Sequence, residues 1–190
     1  MHTLAKLFSS ASRLKLLRLF FFNENTAYTT QDIAFRTKTT TSNVRKEITV
    51  LIHARVIRRQ GSGREVKYRL NKQYQYVDAL AAFVRNTTVV ESRDILPLLR
   101  RTGTLRLVVL TGLFSGAIEP KIDLLVVGDK LDERILSTVI HTIESDLGRE
   151  IRYASFATTD FRYRSGVYDR LLRDVFDYSH RIILDKIGMS

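Results

Sequence analysis

The stretch Thr39–Ile57, TTTSNVRKEITVLIHARVI, constrains this chain more than any other. Val44, Ile48, Leu51, Ile52 and Val56 fall at the spacing that draws one apolar stripe along an α-helix. The opposite face carries Asn43, Arg45, Lys46, Thr49 and His53, with Glu47 as its one acid. Thr39, Thr40, Thr41 and Ser42 crowd the front end. Hydroxyls there either cap free backbone N–H groups or reach an anion. A surface helix kept only for solubility would alternate Glu with Lys; this one is cationic and hydroxylated.

The charge of the whole chain points the same way. Residues 1–86 hold 16 of the 31 Lys and Arg but 5 of the 20 Asp and Glu, so they carry the entire net charge of +11. Such asymmetry implies a polyanionic partner for the first part of the chain. A membrane surface would call for a long basic amphipathic helix with exposed aromatics, and none is evident. No apolar run approaches the roughly 18 residues of a membrane span, and Leu16–Phe22 is too short and too interrupted for a secretory leader. The absence of cysteine removes disulfides and thiolate metal sites. A cytoplasmic protein without cofactor is expected.

Around the central helix the basic part reads as a series of short elements. Leu4, Leu7 and Phe8 open a first helix. Ser12–Phe22 forms a second, with Leu14, Leu17, Phe20 and Phe21 inward and Leu16 and Leu19 joining them. Thr30 is placed to cap a third over Gln31–Arg36, which buries Ile33 and Ala34. Two short helices joined through Thr37 and Lys38, the second rich in donors, form a helix-turn-helix pattern. After Ile57 the period changes. Arg58 and Arg59 lead into Gly61-Ser62-Gly63. Residues 64–70 then alternate, with Val66, Tyr68 and Leu70 on one side and Glu65, Lys67 and Arg69 on the other. This predicts a β-hairpin whose tip is flanked by Arg58, Arg59 and Arg64.

On the segments 12–19, 41–51 and 56–59, residues 4–70 resemble the winged helix-turn-helix of arsenic-repressor-like regulators. Arg55 departs from that group, which usually has Gly at the end of the reading helix. The resemblance implies a domain over residues 1–86 that binds double-stranded DNA, and a homodimer reading two half-sites. Thr40, Thr41, Ser42, Asn43, Arg45, Lys46 and Thr49 would meet base edges and nearby phosphates; Arg58, Arg59, Arg64 and Lys67 would hold the backbone from the wing. The metal-sensing members use Cys or clustered His. Here Cys is absent and His2, His53, His141 and His180 are scattered, so no metal site is expected.

A helix over Tyr74–Arg85 ends the first domain, and residues 87–103 read as a helical linker with a second helix over Glu91–Arg101. The former has Tyr76, Val77, Leu80, Ala81 and Val84 available for packing. The neutral remainder, 104–190, alternates strands with helices, giving an α+β class for the whole. Strands are expected at Leu105–Leu110, Lys121–Asp129, Ile151–Phe156 and Arg181–Asp185. Helices are expected at Leu131–Leu147, burying Leu131, Ile135, Leu136, Val139, Ile140 and Ile143, and at Phe161–Tyr178, burying Val167, Leu171, Leu172, Val175 and Phe176.

In this order residues 104–187 resemble the minimal nucleotidyltransferase fold, a small α/β domain with a mixed sheet. Active relatives hold nucleotide phosphate on a Gly-Ser turn, place two acids one residue apart on the second strand for Mg²⁺, and add a third from the next strand. Here the turn is Gly112-Leu113, the acidic pair is Lys121-Ile122-Asp123, and Ile151–Phe156 holds no acid. A single carboxylate beside Lys121 does not assemble a two-metal site. A catalytically degenerate domain with no catalytic residue is therefore expected, serving dimerisation, sensing or partner binding. A vestigial pocket at Gly112, Ser115, Gly116, Lys121 and Asp123 would still suit a small anionic ligand; otherwise Lys121 pairs with Asp123 or lies in solvent. An active nucleotidyltransferase and an antitoxin-like module that caps a protein partner are the alternatives.

Overall fold

The computed structural model describes residues 2–88, 92–116 and 120–189. The fold is mixed α and β and divides into two compact units: Met1–Val89 with His141–Glu150, and Val90–Ile140 with Ile151–Ser190.

The first unit opens with α1 (His2–Leu7) and α2 (Ala11–Phe22). Ser10 caps α2 by accepting from the Arg13 N–H. Helix α2 is apolar nearly all round because it forms the centre of the unit, with Leu14, Leu16, Leu17, Leu19, Phe20 and Phe21 buried. Helix α3 (Thr30–Thr37) begins with a capping box: the Thr29 hydroxyl accepts from the Asp32 N–H, and the Asp32 carboxylate accepts from the Thr29 N–H. The cap is thus Thr29, one residue before the expected Thr30, since only Thr29 has the acid three positions on.

Helix α4 (Thr41–His53) packs Val44, Ile48 and Leu51 on α2 and α3, and Thr40 caps it through the Asn43 N–H. Two expectations fail here. Ile52 is 37% exposed, and Glu47 is buried. At about 100° per residue, Glu47 lies nearer than Ile52 to the centre of the stripe that Val44, Ile48 and Leu51 define. Glu47 Oε1 accepts from the Ser10 hydroxyl at 2.6 Å and Oε2 from Arg13 Nε at 2.8 Å, which fastens α4 to the front of α2. The end of α4 is a Schellman motif. Arg55 N–H reaches Ile52 O, Val56 N–H reaches Leu51 O, and Arg55 takes φ +60°. The conformation that favours Gly is therefore present, carried by an arginine.

Strands β1 (Ile57–Gln60) and β2 (Lys67–Leu70) form an antiparallel hairpin in which Ile57 faces Leu70 and Arg58 faces Arg69. Strand β2 starts three residues later than the alternation suggests, because Gly63–Glu65 makes a single 3₁₀ turn. Gly61 is required at the bend: φ is +80° and a Cβ would lie 2.7 Å from Glu65 O. A bridge between Tyr28 and Tyr68 ties the hairpin to the chain ahead of α3. Helix α5 (Val77–Thr87) closes the core with Ala81 and Val84. Tyr76 precedes this helix and is 58% exposed, contrary to the expected packing.

Residues 141–150 complete the first unit. Lys15 pairs with Asp146 at 3.0 Å, Arg18 Nη1 donates to Asp146 O at 2.7 Å, and Asn23 donates to Gly148 O at 2.7 Å. A Cβ at Gly148 would sit 2.5 Å from the α2 backbone, so glycine is what allows this approach.

The second unit begins with α6 (Ser92–Leu99); the expected start, Glu91, lies outside the described residues. Its sheet has strands β3 (Thr104–Leu110), β4 (Leu124–Asp129), β5 (Tyr153–Phe156) and β6 (Arg181–Asp185) in the order β5-β4-β3-β6. Strand β3 runs antiparallel to both β4 and β6, whereas β4 and β5 are parallel and joined by the crossover that contains α7 (Glu133–Leu147). Leu107, Val109, Leu125 and Val127 pack with Phe161, Leu172 and Val175. The helix expected over Phe161–Tyr178 is two helices, α8 (Thr158–Gly166) and α9 (Arg170–Phe176). Tyr168 turns the chain at φ +54°, and the Asp169 side chain caps α9. Val167 falls in this break and is 56% exposed; Ile135, also expected inward, is 41% exposed.

Candidate nucleic-acid interface

Helix α4 and the hairpin follow one another directly, and both turn cations outward. Thr41, Ser42, Asn43, Arg45, Lys46 and Thr49 are all exposed along α4. Thr40 is spent as the cap, and the Thr49 hydroxyl donates to Arg45 O. With Glu47 drawn into its contacts with α2, the outer face of this helix carries no acid. On the hairpin, Arg58, Arg59 and Lys67 are exposed. Arg64 has its backbone in the 3₁₀ turn, and its side chain lies outside the described residues. Among the described residues no ion pair forms with Arg45, Lys46, Arg58 or Arg59. Lys67 sits close enough to Asp32 to help lower that carboxyl's pKa, though the largest influence there is the Thr29 backbone hydrogen bond.

The residue that sequence reasoning passed over is Arg69. Alternation puts it on the face of Lys67, and the strand register sets it opposite Arg58. Arg58, Arg59, Gln60 and Arg69 line a hollow of about 240 Å³. The Arg69 Nε is buried and has no hydrogen-bond partner. The alternating pattern marked the side of the strand on which Arg69 lies; it held no signal that a guanidinium there would be partly enclosed.

The second cluster read from the sequence has a different character. Asp123 is 3% exposed and all its acceptor capacity is taken. Oδ1 accepts from the Leu113 N–H at 2.8 Å and Arg152 Nη2 at 2.8 Å, and Oδ2 accepts from the Arg152 N–H at 2.9 Å and Nε at 3.0 Å. Burial pushes this carboxyl up, but the Arg152 guanidinium and the two backbone donors outweigh it and hold the pKa below the usual range. Gly112 packs directly on the carboxylate: a Cβ would lie 2.4 Å from Oδ1. Lys121 is exposed, and the partner of Asp123 is Arg152, not Lys121. Ser115 is half-buried with its hydroxyl on Gly112 O, and Gly116 is exposed. The structure therefore packs Gly112 against Asp123, whose ion pair with Arg152 locks the turn; Arg152 is the residue that the sequence reading left out.

Among the described residues no group of three or more His, Cys, Asp or Glu is placed to hold a metal, and no helix is long and apolar enough to cross a membrane. No family model, no curated protein and no solved structure matches the chain.

Proposed function

We propose that this chain is a sequence-specific, DNA-binding transcriptional regulator acting in the cytoplasm as a dimer. The first unit would be its winged helix-turn-helix, with α4 in the major groove and the β1–β2 hairpin as the wing. The second would be a degenerate nucleotidyltransferase-like unit used for dimerisation, sensing or partner binding. One observation carries the reading: the only acid of α4 faces inward, leaving a face of hydroxyls, Asn43, Arg45 and Lys46 continuous in sequence with a hairpin on which, among the described residues, Arg58, Arg59 and Arg69 form no ion pair. A face kept merely soluble would hold compensating acids; a face that meets phosphates and base edges excludes them. The enzyme alternative draws no support, because the only acid in the expected metal position is fully engaged by Arg152 and backbone donors.

Selection of bound duplexes from a random pool tests this reading. A recurrent half-site should emerge with wild-type protein and broaden at one position with Arg45→Ala. A pool that returns no preferred sequence would refute sequence-specific recognition.

A further inference from the structure

The hollow on the hairpin departs from what sheet chemistry favours. Arg58 and Arg69 are directly opposed, with Cβ atoms about 5 Å apart by the geometry of an antiparallel ladder. Like charges in that relation repel each other. Among the described residues no acid pairs with either, or with Arg59 beside them. The Arg69 Nε, a donor that is always charged, is shut away from solvent without an acceptor. Buried donors are almost always satisfied, so an unsatisfied one on a guanidinium that lines a hollow with two other arginines points to a ligand as its acceptor. The positive charge of the lining favours an anion in that role. Guanidinium forks match the several oxygens of a phosphate, and Gln60 adds an amide donor at the edge. At about 240 Å³ the hollow is smaller than the roughly 300–1,000 Å³ that enclose organic ligands.

We propose that the hollow between Arg58, Arg59, Gln60 and Arg69 is a preformed seat for a phosphate group, and that a free polyphosphate competes there with the phosphodiester of bound DNA. The seat itself stands on the hairpin alone; its regulatory consequence rests on the DNA-binding reading given above. It assigns Arg69, the least exposed of the three arginines, as the residue that fixes the phosphate, with Arg58 beside it on the same face of the hairpin. A rise in free polyphosphate would then release DNA beyond the general effect of ionic strength.

The test uses the full chain and inorganic pyrophosphate. Calorimetry should show binding to one site per chain, weakened about tenfold or more by Arg58→Gln and by Arg69→Gln. Arg181→Gln, at the exposed start of β6, serves as the charge-matched control. Melting temperatures show that each variant is folded, and exposed Arg58 keeps the test valid if Arg69→Gln fails to fold. By fluorescence anisotropy, pyrophosphate should displace a labelled duplex at concentrations where sodium chloride of equal ionic strength does not. Pyrophosphate binding that ignores both hairpin variants, or displacement no better than chloride, overturns the proposal. If DNA binds with a steep salt dependence but Arg58→Gln and Arg69→Gln behave like the control, the seat is refuted and the DNA reading stands. If pyrophosphate binds in an Arg69-dependent way while no duplex binds, the seat stands and the DNA reading falls.

Discussion

Replacing Asp123 with Ala removes the acceptor of four hydrogen bonds at once. Two of the donors, the Arg152 Nε and Nη2, belong to a side chain that is 54% exposed, so water recovers most of their loss. The other two are the backbone N–H groups of Leu113 and Arg152, held at the β3–β4 turn and just before β5. Each loses a charged acceptor, at about 1–2 kcal/mol apiece. The expected destabilisation is about 2–4 kcal/mol. For a chain of this length that lowers the melting temperature by roughly 4–16 °C. Urea unfolding followed by circular dichroism, with thermal melts beside it, measures the change. A carboxylate kept as a metal ligand behaves in the opposite sense: its neutralisation relieves repulsion and leaves stability unchanged or raised. An Asp123→Ala protein as stable as wild type would refute the assignment of this residue as a turn lock.

Glu47→Ala should cost about 1–2 kcal/mol through the lost Ser10 and Arg13 contacts, and leave the salt dependence of DNA binding as it was. A gain in DNA affinity with no change in stability would place Glu47 back on the outer face. Arg55→Gly should stabilise the chain by about 1 kcal/mol, because glycine takes φ +60° without the Cβ clash; a loss in urea unfolding would contradict the Schellman geometry. Asp32 and Asp123 both have folded-state pKa values below their ordinary ones. Each therefore contributes stability that is complete above the unfolded-state value, about pH 4, and is lost as pH falls through the lower folded value. Asp123→Ala should unfold with a shallower acid dependence than wild type, read from urea midpoints across that window; identical slopes would refute the linkage.

Much of the fold was legible because its signals are local. The stripe Val44–Ile48–Leu51, the alternation Tyr68–Leu70 and the continuous apolar run of β3 each lie within one element, and each element forms. The failures share a cause. Glu47 reads as solvent-facing because acids usually are; only Ser10 and Arg13, more than thirty residues earlier, make its inward position favourable. Arg152 lies twenty-nine residues from Asp123, so nothing local announces the pair. The break between α8 and α9 was misread for a different reason. Gly166 and Asp169 are an end signal and a cap, yet the apolar residues on both sides keep a helical period and hide them. Of the candidate interface, the exposed cations were visible in sequence; the enclosure of Arg69 depends on strand pairing, which the sequence does not print.

On the DNA-binding reading, the outer faces of α4 and the hairpin grip a polyanion. The most direct measurement of that grip is the dependence of duplex affinity on salt concentration. With Lys46, Arg58, Arg59 and Lys67 on phosphates, log K should fall against log salt with a slope of roughly −3 to −4, and each single Ala substitution among those four should flatten it by about 0.9. Affinity that ignores salt, or a slope no variant changes, would contradict the account.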